Sequence, residues 1–166
     1  MSEEIIFKWA NNRERHDLRG ECSDTELWKK EAVKRENWLF IAKRSGQIVG
    51  YVFYNDSVLF RIFVEPQARG INGISTRLLH TSLREYFREN PELSEVRLRA
   101  LPDPKPNVPA EKRKELLEKW YSERDFEKED KKDMKITRET VLEKPIHPFL
   151  RKPRSTAPKP QRKRAR

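Results

Sequence analysis

The chain has 166 residues, of which 35% are hydrophobic and 39% are charged, so it is long enough for one compact domain and too short for two. Its formal net charge is +10, but residues 151–166 contain eight Lys and Arg and no acid, which leaves about +2 for residues 1–150. No apolar stretch reaches the length of a membrane helix and the N-terminus has no basic signal region, so we expect no membrane association and no secretion.

Cysteine and histidine usage limits the chemistry further. Cys22 is the only cysteine, which excludes an intrachain disulfide and a structural thiolate metal site. The three histidines have no spacing typical of metal ligands, so no metal site is predicted. A reducing compartment fits best, and we expect a cytoplasmic protein, with a nuclear or nucleoid location as the alternative.

The N-terminal half contains four short runs rich in β-branched and aromatic residues, which predict strands over residues 3–10, 38–44, 48–56 and 58–64. The second and third runs form a hairpin around "SGQ", and the fourth is nearly all apolar, which is typical of a strand covered on both faces. Residues 11–37 predict helical structure broken near Gly20, with Ser23 and Asp24 placed to cap its second part.

The C-terminal half begins with helical periodicity from Ile74 to about Glu89, followed by an alternating strand pattern over residues 94–101. Four prolines exclude regular structure over residues 102–110. A second helix is predicted over residues 111–123, and a last strand lies within residues 131–145.

This order of elements predicts one α/β domain over residues 1–146, with a mixed central sheet flanked by helices. The strand, helix and strand of residues 58–101 require a parallel pair with a right-handed connection, whereas the preceding meander is antiparallel. Residues 147–166 form a basic, proline-rich tail that we expect to be disordered in the free protein. The alternative is an arm that contacts nucleic acid through residues 151–166.

The junction between the buried strand ending at Val64 and the helix starting near Ile74 contains two of the five glycines, Gly70 and Gly73. A helix N-terminus presents unpaired backbone N–H groups to anions, and small residues let an anion reach them. Arg69 adds a permanent cation. The pattern therefore predicts a phosphate site, while the alternative is that the glycines only turn the chain.

The segment "VEPQARGINGISTRLL" resembles motif A of the GNAT family of N-acetyltransferases. In that motif Val, any residue, Pro, two residues and Arg-Gly precede further small residues and a Leu-Leu helix. Val64, Pro66, Arg69 and Gly70 match in register, and one extra residue follows before the next glycine.

A second segment, "YSERDF", is similar to the Tyr-x-x-x-Gly-Phe pattern that ends a late helix in the same family. Tyr121 and Phe126 match, and Asp125 replaces the glycine. The resemblance covers roughly residues 3 to 145 and leaves the basic tail outside.

The resemblance implies a GNAT-like fold whose two parallel strands splay apart, with acetyl-coenzyme A in the opening. It implies that backbone groups of Ile62, Phe63 and Val64 pair with the pantetheine arm. It also implies that seven consecutive backbone N–H groups hold the pyrophosphate: Arg69, Gly70, Ile71, Asn72, Gly73, Ile74 and Ser75. Tyr121 would protonate the leaving thiolate as general acid; the alternative for Tyr121 is a core tyrosine beside Trp120.

A general base is harder to assign, because the family often carries it on the strand before motif A and residues 58–64 contain no acid. Asp56 is the preferred candidate and Glu65 the second, although either residue also fits a solvated turn.

The resulting hypothesis is an enzyme that transfers an acetyl group from acetyl-coenzyme A directly to an amine acceptor. The alternative is a catalytically inactive GNAT-like domain that binds nucleic acid through its basic tail. The sequence identifies neither the acceptor nor the acyl chain length, and it leaves monomer and homodimer equally open.

Overall fold

The fold is given by a computed structural model that describes residues 4–99, 107–130 and 133–143. Its strands are β1 (Ile5–Trp9), β2 (Trp38–Arg44), β3 (Gln47–Asn55), β4 (Val58–Val64), β5 (Glu95–Arg99), β6 (Glu127–Lys128) and β7 (Asp133–Thr137). Its helices are α1 (Asn12–Glu21), α2 (Glu26–Ala32), α3 (Ile74–Glu89), α4 (Ala110–Ser122) and α5 (Arg138–Glu143), with a short 3-10 turn over Pro66–Ala68.

The seven strands form one sheet in the order β1-β2-β3-β4-β5-β7-β6. All neighbours are antiparallel except β4 and β5, which confirms the predicted mixed sheet. The parallel pair is in register only at Val58 and Arg97, where the Arg97 N–H donates to the Ser57 carbonyl at 2.7 Å. Beyond this point β4 and β5 do not pair, so the sheet opens toward their carboxyl ends.

Helix α3 covers one face of the sheet with an apolar stripe at helical spacing. Leu78, Leu79 and Leu83 are fully buried, and each such side chain contributes about 1.5–3 kcal/mol by leaving water. Gly50 on β3 allows this close packing, since a Cβ there would lie 3.0 Å from the Phe63 carbonyl oxygen and 3.3 Å from the Leu78 side chain. The core on this face continues without a break from β1 to β7.

Helices α1 and α2 cover the opposite face and enclose a second, smaller core. Leu18 of α1 and Ala32 of α2 are completely buried against the inward residues of β2 and β3. Helix α1 begins with a capping box: the Asn11 side chain accepts from the Glu14 N–H at 2.8 Å, and the Glu14 carboxylate accepts from the Asn11 N–H at 3.0 Å. This half of the sheet is therefore a sandwich between two helical layers.

The predicted break near Gly20 is present between α1 and α2, but the predicted cap of α2 was wrong. Gly20 lies inside α1, the chain leaves the helix at Cys22, and the residue before α2 is Thr25. Ser23 and Asp24 do not cap α2, because the Ser23 hydroxyl bonds to Glu65, just after β4, and the Asp24 carboxylate bonds to Arg61 of β4. Phe60 also departs from the prediction that β4 is covered on both faces, since 47% of its surface is exposed.

In the C-terminal half, α3, β5 and α4 agree with the predicted elements to within two residues, and β7 is the predicted last strand. The two-residue strand β6 and the six-residue helix α5 were missed, because each is too short to produce a periodic pattern. Residues 102–106 of the proline segment, the predicted domain boundary at 146 and the basic tail lie outside the described residues. None of the described helices is long and apolar enough to cross a bilayer.

Candidate cofactor and active site

The open edge of β4 is the first component of the site. The Glu65 N–H donates to the Val49 carbonyl of β3 at 2.8 Å, so the backbone groups of Glu65 face β3. Backbone groups alternate between the two edges of a strand, so Val64 and Ile62 direct theirs to the edge from which β5 has parted. Phe63 directs its groups to β3. Two of the three residues predicted to pair with pantetheine therefore lie on the free edge.

The loop between β4 and α3 is held in an unusual backbone conformation. Gly70, Asn72 and Gly73 all have positive φ, at 82°, 48° and 64°, and Gly73 is the residue before α3. Glycine adopts this region without strain and asparagine tolerates it better than most other residues. The extra residue of the loop is thus accommodated by two consecutive left-handed residues. A Cβ at Gly70 would meet no atom within 4 Å, so the space beside the loop is open.

Backbone N–H groups of the loop fall into two sets. Those of Arg69, Ile71 and Ile74 donate to carbonyls within the loop itself. The remaining N–H groups have no hydrogen-bond acceptor among the described residues, and they belong to Gly70, Asn72, Gly73, Ser75 and Thr76. Unpaired N–H groups at the amino end of a helix attract anions through their hydrogens and through the helix dipole. The loop therefore fits a pyrophosphate, although three of the seven predicted N–H donors are already used.

Arg69 is anchored beside this loop. Its Nε donates to the Val64 carbonyl at 2.7 Å, and its guanidinium carbon lies 5.6 Å from the centre of the Phe63 ring. The residue is otherwise exposed, so its remaining N–H groups are available to an anion at the loop. The anchoring restricts the side chain before any ligand arrives, which lowers the entropy cost of binding.

Tyr121 on α4 belongs to the core on the α3 side of the sheet and is in edge-to-face contact with Trp120 and Phe126, at 5.1 and 5.3 Å between ring centres. Only 5% of the residue is exposed, and its hydroxyl has no hydrogen-bond partner among the described residues. Burial raises the pKa of Tyr121, and the nearby positive charge of Arg61 opposes that rise. The phenol is therefore protonated at neutral pH, as a proton donor must be.

The end of α4 explains the Asp125 substitution. Asp125 has φ of 75°, the left-handed conformation for which glycine is usual, and the Phe126 N–H closes the turn on the Tyr121 carbonyl at 3.1 Å. Asp is among the few non-glycine residues that adopt this conformation readily. The backbone turn that follows Tyr121 is therefore formed without glycine.

The α1–α2 connection is attached to β4 by two carboxylates on the face covered by these helices. Asp24 accepts from Arg61 Nε and Nη2 at 2.9 and 2.6 Å, and Glu65 accepts from the Ser23 N–H and hydroxyl at 2.7 and 2.6 Å. Tyr51 also donates its hydroxyl to Asp24. Sequence reasoning missed these contacts. The available signal was Arg61, the one charged residue in the apolar run "VLFRIFV", because a charge there requires a buried partner.

Asp56 does not lie with the other predicted residues. It is an exposed residue of the β3–β4 turn with φ of 52°, and its carbonyl accepts from the Tyr86 hydroxyl at 2.6 Å. This turn is at the paired end of β4, whereas Val64 is eight residues further along, roughly 25 Å at the rise of an extended strand. The structure therefore does not bring Asp56 together with the loop.

Glu65, the second candidate base, is at the open end of β4 but is no solvated turn residue. It is 5% exposed, and both of its carboxylate oxygens accept hydrogen bonds from Ser23. Its observed role is to hold the α1–α2 connection against the strand.

Comparison with known proteins identifies the family of this chain. Residues 12–106, more than half of the chain, match the sequence profile of the Acetyltransferase (GNAT) domain. No curated protein matches the chain in sequence.

Several solved structures have a similar fold. AtaTR bound with AcCoA is 12% identical, with 84% of this chain and 96% of that chain covered and a TM-score of 0.63. PaiA N-acetyltransferase from Thermoplasma acidophilum in complex with coenzyme A is also 12% identical, with coverage of 81% and 99% and a TM-score of 0.54. A KacTA–DNA complex is 10% identical, with coverage of 84% and 96% and a TM-score of 0.57. At these identities the similarity establishes the fold.

Proposed function

The chain belongs to the GNAT family and is an acetyl-coenzyme-A-dependent N-acetyltransferase, and from this premise we propose that it transfers the acetyl group directly to an amine in the opening between β4 and β5, with Tyr121 as general acid. The observation that carries the proposal is Tyr121, which is 5% exposed, has no hydroxyl partner among the described residues and is close enough to Arg61 of β4 for that charge to act on its pKa. When bound, the cofactor supplies an activated thioester.

Different residues of this chain would bind different parts of the cofactor. Backbone groups of Ile62 and the N–H of Val64 would pair with the amides of the pantetheine arm, as an added strand pairs with a sheet edge, whereas the Val64 carbonyl already accepts from Arg69. The unpaired N–H groups from Gly70 to Thr76 would hold the pyrophosphate, with Arg69 as a supporting cation. Phe63, Ile71 and Ile74 would contribute through packing, because their backbone N–H groups are already used.

Proton transfer sets the role of Tyr121. When an amine attacks the thioester carbonyl and the carbon–sulfur bond breaks, the Tyr121 hydroxyl would give its proton to the leaving thiolate. The amine nitrogen would release one proton to solvent as the amide forms, and the Tyr121 phenolate would regain one from solvent. A raised pKa keeps that proton in place until the thiolate forms. Asp56, an exposed residue of the β3–β4 turn, is given no role in this scheme.

The acceptor side of the site is the face on which the α1–α2 connection meets β4. Trp28 packs there beneath Arg61, at 5.2 Å from the guanidinium carbon, and Phe60 stacks on Phe53 with 5.7 Å between ring centres. Leu27, which precedes Trp28 on α2, is 71% exposed. These apolar surfaces would flank the incoming amine and exclude water from the thioester.

Nucleic acid is the second candidate partner, because residues 151–166 carry eight cations and no acid. The solved KacTA–DNA complex, which has a similar fold, favours the same class of partner. A cationic arm gains affinity by releasing counterions from phosphates, so its binding falls steeply with salt. In this proposal the tail serves an active enzyme and does not replace catalysis.

The test begins with the unliganded protein and acetyl-coenzyme A. Cofactor at 100 times its Kd should stabilise the fold by about 2.7 kcal/mol, seen as a rise in Tm. Release of free thiol should then depend on an added amine, in a panel of a peptide N-terminus, a lysine side chain and a polyamine. Absence of a thermal shift at millimolar cofactor would overturn the proposal.

A chain truncated after residue 150 separates the two partners. It should keep the thermal shift and the thiol release, while its affinity for a DNA or RNA oligonucleotide falls and loses its salt dependence. Unchanged oligonucleotide binding would show that the tail is not the nucleic-acid contact.

A further inference from the structure

Arg124 lies one helical turn beyond Tyr121 and joins the end of α4 to the start of α3. Its Nε donates to the Thr76 hydroxyl at 2.9 Å, and its Nη1 donates to the Trp120 carbonyl at 2.8 Å. The guanidinium carbon also lies 3.9 Å from the centre of the Trp120 ring. The two contacts with Trp120 hold the guanidinium on the end of α4, and the hydrogen bond to Thr76 joins it to the first turn of α3.

The guanidinium lies between the carboxyl end of α4, whose carbonyls favour a cation, and the amino end of α3, which disfavours one unless an anion is bound there. The amino end of a helix carries a partial positive charge, and cations are destabilised there. The acid in contact with Arg124 is Glu123, at 3.6 Å, and its side chain is 57% exposed, so this ion pair is worth little. The unpaired Thr76 N–H and Arg69 add positive character near the same helix end.

We propose that Arg124 binds a phosphate group of the cofactor and thereby positions Tyr121. This inference rests on the proposed function. The Nη2 group makes no hydrogen bond to a described residue, so the guanidinium has a donor left for a phosphate oxygen. Arg124 follows α4 by two residues and donates to the Trp120 carbonyl in its last turn, so a phosphate held at Arg124 would fix the helix end that carries Tyr121. The phosphate is either part of the pyrophosphate or the 3′-phosphate.

The experiment measures binding of coenzyme A, 3′-dephospho-coenzyme A and pantetheine by calorimetry. Arg124→Met should bind coenzyme A about 10- to 100-fold more weakly, the loss expected for one charge-assisted hydrogen bond. An equal loss with dephospho-coenzyme A assigns Arg124 to the pyrophosphate, and a loss confined to coenzyme A assigns it to the 3′-phosphate. Pantetheine, which has no phosphate, should bind both proteins equally.

Matched variants separate charge from structure. Arg88→Met removes the same charge at the other end of α3 and should leave all three affinities unchanged. Thr76→Val removes the Arg124 contact but keeps the guanidinium, so it should cost less than Arg124→Met. If Arg124→Met does not fold, Arg124→Lys keeps the charge without the planar fork and should still show a phosphate-dependent loss.

Two results would overturn the inference: unchanged affinity for coenzyme A in the Arg124 variants, or a loss for pantetheine as large as that for coenzyme A. The positioning role has its own readout, because Arg124→Met should lower kcat at saturating cofactor as well as affinity. If the unchanged protein binds none of the three compounds, the proposed function fails instead, and the two failures are therefore distinguishable.

Discussion

Asp24 and Arg61 form a two-point ion pair between the α1–α2 connection and β4, with N–H···O distances of 2.9 and 2.6 Å and side chains only 2% and 9% exposed. Tyr51 adds a third hydrogen bond to the same carboxylate. The arrangement satisfies the charge of both partners, which burial otherwise makes costly. It also fixes the position of Trp28 and of the charge that acts on Tyr121.

Removal of one member of this pair should be more damaging than removal of both. Asp24→Ala leaves the Arg61 charge buried without its carboxylate and should lower the free energy of unfolding by about 3–5 kcal/mol. Asp24→Ala combined with Arg61→Met should cost less than the sum of the single changes. Urea denaturation of the four proteins of this double-mutant cycle measures the coupling, and additive losses would show that the pair does not act as a unit.

Loss of the Tyr121 hydroxyl should affect the rate and spare the fold. Tyr121→Phe keeps the ring contacts with Trp120 and Phe126 and removes no described hydrogen bond, so Tm should be unchanged. The rate of acetyl transfer should fall by about 10²–10⁴-fold with cofactor affinity intact. Because the pKa of Tyr121 is raised, its deprotonation should not limit the rate between pH 6 and 9. An unaltered kcat in the variant would remove Tyr121 from the mechanism.

The loop conformation makes a prediction at Asn72. Asn72→Val places a β-branched residue at φ of 48°, which strains the backbone by about 1–3 kcal/mol and should displace the neighbouring N–H groups. Cofactor affinity should fall at least tenfold by calorimetry. Asn72→Gly, the matched control, retains the left-handed conformation and should bind as the unchanged protein does; equal weakening in both variants would point to the Asn72 side chain instead of the backbone.

Asp56 provides a negative prediction. Asp56→Asn keeps the size of the side chain and the carbonyl that accepts from Tyr86, and the residue lies far from the loop. We expect kcat/KM to stay within about twofold at every pH from 6 to 9. If kcat/KM of Asp56→Asn no longer fell at low pH, Asp56 would be the general base. The active site would then lie nearer the β3–β4 turn than proposed.

The sequence predicted the parts of this molecule that depend on local pattern. The hairpin, the β4–α3–β5 unit and helix α4 follow from periodicity and turn residues, and motif A with "YSERDF" indicated the family. The backbone conformations of Asn72 and Asp125 could not be predicted from the sequence. Both residues occupy left-handed positions that glycine usually fills.

What escaped prediction depends on contacts between distant segments. Ser23 and Asp24 are residue types that often cap helices. In the structure they instead bond to Glu65 and Arg61, each more than 35 residues away in sequence. Asp56 was predicted as the base from its place just before β4, and the structure places it in the β3–β4 turn, away from the loop. No sequence pattern pointed to Arg124, because its partner Thr76 lies on another helix, 48 residues away.

The single register pair between β4 and β5 means that the sheet is two ladders, one of four strands and one of three, joined by one rung. The main tie between them is the apolar core that α3 shares with both. Amide protons of β5 and β7 should therefore exchange with solvent in a separate opening event from those of β2 and β3. A molecule bound between the free edge of β4 and β5 should hold the two ladders together. Its binding should therefore be detectable as slower amide exchange in β5.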